Sequence, residues 1–308
     1  MMTFYFKEQS SEPLVVLPVY KPGSWVYVEN PNEAELHKLA EQFHLDEDTI
    51  VDILDDYEMP RVERDNAITY FFMRFAYDQG GEVTTDPVLF ILSADLFITI
   101  TPRRFPQLER FTKKRLEYTT VNRTHLFLEI IDQIIDQYEW FITRTSKRIR
   151  IIRSRLRENR LNKEDLLDFV VLEDTLNEFL SALQPTAAIL QRLLAGRHIK
   201  LFEDDRDTLE DGILSCRQSI EGSLSNIKTI VNIREAYSTL SSDDLNHTMK
   251  LLTAATIIVA LPNVFFGMYG MNVGLPFSDS PWAYVGVLGL TLLTMGIVIL
   301  FMRRKRLL

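Results

Sequence analysis

Asn246, Met249, Thr253, Thr256, Ala260, Asn263, Gly267 and Gly270 recur at steps of three and four, so on a helix they share one face. The remaining positions between Leu251 and Met268 are apolar, which places every hydroxyl and amide of that stretch on the same stripe. Such groups offer uncharged oxygen atoms that accept hydrogen bonds from water, from a hydrated cation or from another helix. Two kinds of chemistry follow. Small residues and interhelical hydrogen bonds suit a packing seam in an oligomer; the same stripe, turned toward water, suits the wall of a pore. One such face encloses nothing by itself, whereas several copies around a cyclic axis enclose a conduit.

The elements that carry this stripe span a membrane. Residues 251–268 and 282–302 contain no Asp, Glu, Lys, Arg or His, and at ~1.5 Å per residue each is long enough to cross ~30 Å of hydrocarbon. The connection Val273–Pro281 holds no Lys or Arg, while Lys250 precedes the first span and Arg303, Arg304, Lys305 and Arg306 follow the second. Positive charge stays on the cytoplasmic side. Both termini are therefore expected in the cytoplasm, in a cell-membrane protein of two spans. The second span has only Thr291 and Thr294 as interior polar residues and reads as a lipid-facing collar.

About 250 residues precede the spans, enough for one or two folded domains. A net charge of −9 argues against nucleic acid as a partner. The single Cys216 excludes an intrachain disulfide and fits a reducing compartment. The first 30 residues lack a basic start followed by an apolar stretch, so the late spans are expected to direct insertion. Five scattered histidines and one cysteine offer no metal-ligand spacing and no nucleophile–base pair, which makes an enzyme the least supported class.

Segments Leu14–Tyr20, Ser24–Val28, Ile68–Tyr77, Pro87–Leu92 and Leu96–Thr101 are rich in β-branched and aromatic residues and predict strands. Asn32–His44 predicts a capped helix, and together these make 1–105 an α/β cytoplasmic domain. A helical region, 106–202, follows. Within it Leu126–Glu158 and Lys163–Leu183 predict helices, and Pro185–Leu194 either continues or restarts the second. From about Glu203 a long stalk helix is expected to run into the first span, with Ile213, Cys216, Ile220, Leu224, Ile227 and Val231 as a coiled-coil-like seam.

Two charge runs stand out. Arg144–Arg160 holds eight basic residues beside the apolar Ile142, Ile149, Ile152 and Leu156, and reads chiefly as the solvated face of a helix. Glu203, Asp204, Asp205, Asp207, Glu210 and Asp211 crowd a helix start. They suit either the helix dipole or a divalent-cation site of hard oxygen ligands.

Tyr269-Gly270-Met271-Asn272 at the outer end of the first span, Pro262 and Gly267 inside it, the short outer connection and the basic tail after the second span together resemble the CorA family of magnesium transporters. Leu54-Asp55-Asp56 to Pro60-Arg61-Val62 is similar to a family segment too. The resemblance implies a funnel-shaped homopentamer: an α/β cytoplasmic domain, a long helical stalk and two C-terminal transmembrane helices, the outer connection being 269–281 and the tail 303–308. It implies that Gly270, Met271 and Asn272 form a selectivity motif. It makes Asn246, Met249, Leu252, Thr253, Thr256, Ala260, Asn263 and Gly267 pore-lining, with Met249 and Leu252 as an apolar constriction. It further implies regulatory Mg²⁺ between subunits, at Asp211 and a partner similar to Asp78. The outer connection departs from the family in lacking Met-Pro-Glu-Leu and keeping only Asp279 as an acid. Attraction of cations to the mouth is then weaker, and Co²⁺, Ni²⁺ or, as in a related branch, Zn²⁺ stand beside Mg²⁺ as candidate ions. A membrane-anchored oligomeric sensor whose spans only pack is the rival reading.

Overall fold

The computed structural model describes residues 2–105, 108, 111, 118–158, 160–197, 199, 201–271 and 281–305. They fall into two compact units, Met1–Asn232 and Ile233–Leu308.

The first unit is built on a seven-stranded sheet of β1 (Met2–Phe6), β2 (Val15–Leu17), β3 (Trp25–Glu29), β4 (Arg61–Asp65), β5 (Ile68–Gln79), β6 (Glu82–Leu92) and β7 (Phe97–Thr101). Their order is β2-β1-β3-β7-β6-β5-β4, antiparallel throughout except for the β3–β7 pair. The long β5–β6 hairpin turns on Gly80 and Gly81, at φ 67° and 102°, a region where a side chain would strain the backbone. Alternation along these strands feeds two faces. Tyr70, Phe72, Leu89 and Ile91 pack beneath α1 (Glu33–Phe43), α2 (Glu47–Val51) and the short 3-10 turn Asp52–Leu54, in one core with Leu36, Leu39, Ile50 and Ile53. Phe71 and Phe90 point the other way, with ring centroids 4.7 and 5.3 Å from Phe127 of α3 (Arg123–Arg157). Both faces of the central strands are dry, which explains their near-continuous apolar runs.

Two strands escape the sequence pattern. β4 reads Arg-Val-Glu-Arg-Asp, a polar edge strand in which Arg61 pairs with Asp52, Glu58 and Glu63. β1 lies between β2 and β3, and the strand expected over Leu14–Tyr20 contracts to Val15–Leu17. α1 is capped as its sequence predicts: the Asn32 side chain accepts the Glu35 N–H at 2.9 Å and Glu35 reaches back to the Asn32 N–H.

Three long helices complete the unit: α3, α4 (Lys163–Leu194) and the first part of α5 (Glu203–Tyr269). α4 continues through Pro185 without a restart. The Tyr138 and Phe179 rings meet edge to face at 5.1 Å between α3 and α4, and Ser146 of α3 exchanges hydrogen bonds with Asn226 of α5 at 2.8–3.0 Å. The seam of α5 differs from its expected register after Cys216. Ser219 and Ser223 are buried and Leu224 is half-exposed, because α3 comes so close that a Cβ on Gly222 would lie 3.4 Å from Ile142 Cγ2. Small side chains are what fit there.

The second unit holds the remainder of α5 and α6 (Ala283–Arg304). Both helices carry stretches long and apolar enough to cross a membrane, with mean hydropathy of 1.9 and 2.5.

Candidate functional site: an uncovered polar helix face and an acidic patch

Within 251–268 of α5, Ala254 is buried and Ile258, Leu261, Pro262 and Phe265 are half-buried, while the other described positions are exposed. On α6 Val287, Thr291 and Met302 are buried, and Thr294, Met295, Gly296, Val298 and Ile299 are half-buried. The polar stripe lies on the other side of the helix. At ~100° per residue, the mean direction of Asn246, Met249, Thr253, Thr256, Ala260, Asn263 and Gly267 is roughly opposite that of Ala254 and Ile258. All seven, and Leu252, are exposed in the single chain. The chain's own second span leaves the face open that carries the oxygens.

Local chemistry shapes that face. Thr253 and Thr256 donate their hydroxyl protons to the carbonyls of Met249 and Leu252, each at 2.8 Å, so their donors are satisfied within the helix and their oxygen lone pairs remain as acceptors. α5 ends at Tyr269: the Gly270 N–H donates to Phe266 O at 3.0 Å and the Met271 N–H to Met268 O at 3.3 Å. A Cβ on Gly270 would sit 3.3 Å from Phe266 O, so a side chain would crowd the final turn. Gly270 and Met271 thus stand at a helix C-terminus, where unpaired carbonyls and the macrodipole present partial negative charge. Asn272, third residue of the expected selectivity motif, and Asp279 lie outside the described residues.

The two acids expected to regulate are placed differently in the first unit. Asp78 is near the end of β5, and both its oxygens are engaged: Oδ2 accepts from Arg144 Nη1 at 2.8 Å and Oδ1 from the Gly81 N–H at 2.8 Å. Those bonds, Arg144 first, hold its carboxyl below the usual range. Asp211 is exposed on α5 and faces an acidic stretch of α3 that sequence reasoning missed. Burial, together with Asp136, Glu129 and Asp211, pushes the Asp132 carboxyl up to about 6. Asp132 and Arg144 are twelve residues apart on α3, about 18 Å along the axis, so within one chain Asp78 and Asp211 occupy different levels of that helix. Among the described residues no three His, Cys, Asp or Glu side chains converge to hold a metal ion.

The charge runs resolve into structure. Arg144 meets Asp78, while Arg148 and Arg155 tie α3 to Asp168 and Asp165 of α4. At the start of α5, buried Asp205 accepts the Phe202 N–H at 3.1 Å and lies 3.4 Å from His125 Nδ1. It serves the helix N-terminus.

Comparison with known proteins gives a consistent result. Residues 21–304 match the family described as CorA-like Mg²⁺ transporter protein. The chain is 24% identical over 288 residues to the cobalt/magnesium transport protein CorA of Methanocaldococcus jannaschii, covering 91% of this chain and 90% of that protein. It is 22% identical over 326 residues to the cobalt/magnesium transport protein CorA of Thermotoga maritima, covering 98% and 88%. The fold is that of the complete structure of the CorA magnesium transporter from Methanocaldococcus jannaschii, with a TM-score of 0.86 at 21% identity over 99% of this chain and 98% of that one.

Proposed function

The chain belongs to the family of CorA-like Mg²⁺ transporter proteins, and from that premise we propose that it is a divalent-cation channel for Mg²⁺ uptake across the cell membrane, gated by intracellular Mg²⁺. The observation that carries the reading is the open polar stripe of α5: its oxygens turn away from the side of the helix covered in the chain. In a homopentamer with both termini in the cytoplasm, copies of this face converge on one axis and α6 faces the lipid.

The oxygens are amide, hydroxyl and carbonyl, with no carboxylate among them, and this suits the ion. Mg²⁺ sheds its waters reluctantly. A ring of Asn272 amides at the outer mouth, and rings of Asn263 and Asn246 further in, hydrogen-bond to the hydrated ion and spare most of the dehydration cost. Neutral acceptors also release it, as conduction demands. Met249 and Leu252 form an apolar narrowing that closes the path by excluding water. The helix C-terminus at Gly270 and Met271 adds a modest attraction for cations, which matters more in a mouth whose only outer acid is Asp279.

Regulation falls to Asp211 and its surroundings. Asp132, with Glu129 and Asp136 nearby, makes this a patch where like charges repel and a cation shared with the neighbouring subunit brings relief. Asp78 contributes only if a cation displaces Arg144, so Asp211 has the stronger claim. Co²⁺ and Ni²⁺ share the path with Mg²⁺, and Zn²⁺ is the alternative principal ion.

Purified protein in liposomes loaded with a Mg²⁺-sensitive dye tests the proposal. Wild type is expected to admit Mg²⁺, and Asn272→Ala to abolish entry while leaving the oligomer intact. Inserted, oligomeric wild type that passes no Mg²⁺, Co²⁺, Ni²⁺ or Zn²⁺ would overturn it in favour of a sensor. Zn²⁺ entry exceeding Mg²⁺ entry would reassign the ion.

A further inference from the structure

Where α3 begins, the first unit contains a cavity of about 780 Å³, lined by Glu8, Thr69, Leu92, Arg123, Thr124 and Phe202 among others. That volume lies in the range of small-molecule sites, ~300–1,000 Å³. None of these residues takes part in the pore or in the acidic patch around Asp211.

A buried hydroxyl faces this space without a partner. On a strand, residues two apart share a face, so Thr69 of β5 lies on the side of the sheet from which Phe71 meets Phe127 of α3, the side on which the cavity opens. Thr69 is only 3% exposed, and its hydroxyl makes no hydrogen bond among the described residues. The oxygen is nonetheless reachable: the sealed, unpartnered side-chain atoms among the described residues are Asp86 Oδ2 and Ser219 Oγ, and Thr69 Oγ1 is not one of them. Buried hydroxyls are as a rule satisfied. Here the partner must come from whatever fills the cavity.

The start of α3 adds donors to the same space. Asn122 caps the helix, its side chain accepting the His125 N–H and its carbonyl the Leu126 N–H, while the Arg123 N–H turns back to Val121 O. The Thr124 N–H is left without an acceptor among the described residues. Arg123 spends Nη2 on Ala94 O, and its Nε and Nη1 bond to no described residue. Behind these groups stand the 35 residues of α3, whose positive end favours an anion.

The lining also limits the charge and shape of its occupant. Arg123 is the one base and the exposed Glu8 the one acid among the described lining residues, so the cavity suits a singly phosphorylated ligand better than a polyphosphate. A cation would meet the guanidinium and the helix N-terminus. Phe202, 59% exposed, and Leu92 offer an aromatic and an aliphatic surface to a flat ring, and Glu8 offers an acceptor to sugar hydroxyls.

We propose that this cavity binds a nucleoside monophosphate, with the phosphate on Arg123 and Thr124, the base against Phe202 and Leu92, and the Thr69 hydroxyl completing its hydrogen bond on the ligand. The inference does not rest on the transport reading. Isothermal titration of the full-length protein in detergent with AMP, without Mg²⁺ and at constant ionic strength, tests it, with adenosine and inorganic phosphate as separate titrants. Wild type is expected to bind AMP saturably and more tightly than either fragment. Arg123→Gln should weaken AMP about tenfold or more, as for a lost charge-assisted hydrogen bond, and leave adenosine unchanged. Thr69→Val keeps the shape and removes a hydroxyl that the protein itself does not use, so it should leave Tm unchanged while weakening AMP about fivefold. It decides the matter if the Arg123 variant does not fold. No saturable heat with AMP, adenosine or phosphate binding as tightly as AMP, or equal AMP affinity in every folded variant would each overturn the proposal.

Discussion

Glu178 shows how much one side chain holds. Its Oε1 receives the Thr85 N–H at 2.6 Å and the hydroxyls of Thr85 and Thr84 at 2.7 and 3.1 Å, fastening α4 to β6. Thr85 is 2% exposed, so water cannot replace a lost acceptor. Glu178→Ala is expected to destabilise the protein by about 2–3 kcal/mol, seen as a lower Tm. Glu178→Gln, which keeps an acceptor oxygen in place, should lose much less. In the membrane the governing residue-scale fact is different: Thr253 and Thr256 satisfy their own hydroxyl protons on the helix backbone. A polar face so arranged tolerates lipid-depth burial while still offering acceptors to water.

Between elements, the limiting contact is the approach of α5 to α3. Gly222 faces Ile142, and the Ser146–Asn226 hydrogen bonds lie on the same interface. An added methyl would sit at ordinary van der Waals distance, so Gly222→Ala should be near neutral, helped by the ~1 kcal/mol helix preference of Ala over Gly. Gly222→Leu has no such room. It should lower stability by about 1–3 kcal/mol, and thermal unfolding of the two variants separates them directly. The same closeness explains why the seam of α5 passes through Ser219 and Ser223 while Leu224 turns outward. Periodicity alone favours the larger apolar residue.

For the assembled molecule, the sign of the charge around Asp211 sets the expected response to Mg²⁺. Crowded carboxylates, one of them held up to about 6, repel each other, and on the proposed reading a cation shared between copies relieves that repulsion. Asp211→Ala should therefore leave the pore conducting at internal Mg²⁺ that closes wild type, raising the half-inhibiting concentration about tenfold. An unchanged inhibition curve in the liposome assay would remove Asp211 from regulation. Asp78→Ala should act mainly through lost contact with Arg144 and Gly81, since those partners fill its two oxygens.

The spans, the polar stripe, the capped helix over Asn32–His44 and the long helix from Glu203 were legible in the sequence because each depends on periodicity or composition within a few turns. Gly80-Gly81 marked its turn for an equally local reason, the need for positive φ. Other features belong to contacts between distant residues. β1 and β4 take their place from their neighbours in the sheet, and β4 carries no apolar alternation to announce it. Asp78 is tied to Arg144, sixty-six positions away. Asp211 acquires its acidic neighbour from α3, and Asp86 of β6 meets Arg103, which follows β7 in the chain. Chain chemistry determined which faces must be covered and which could stay polar; tertiary packing decided what covers them, because burial and charge repulsion are properties of surroundings that no single segment supplies.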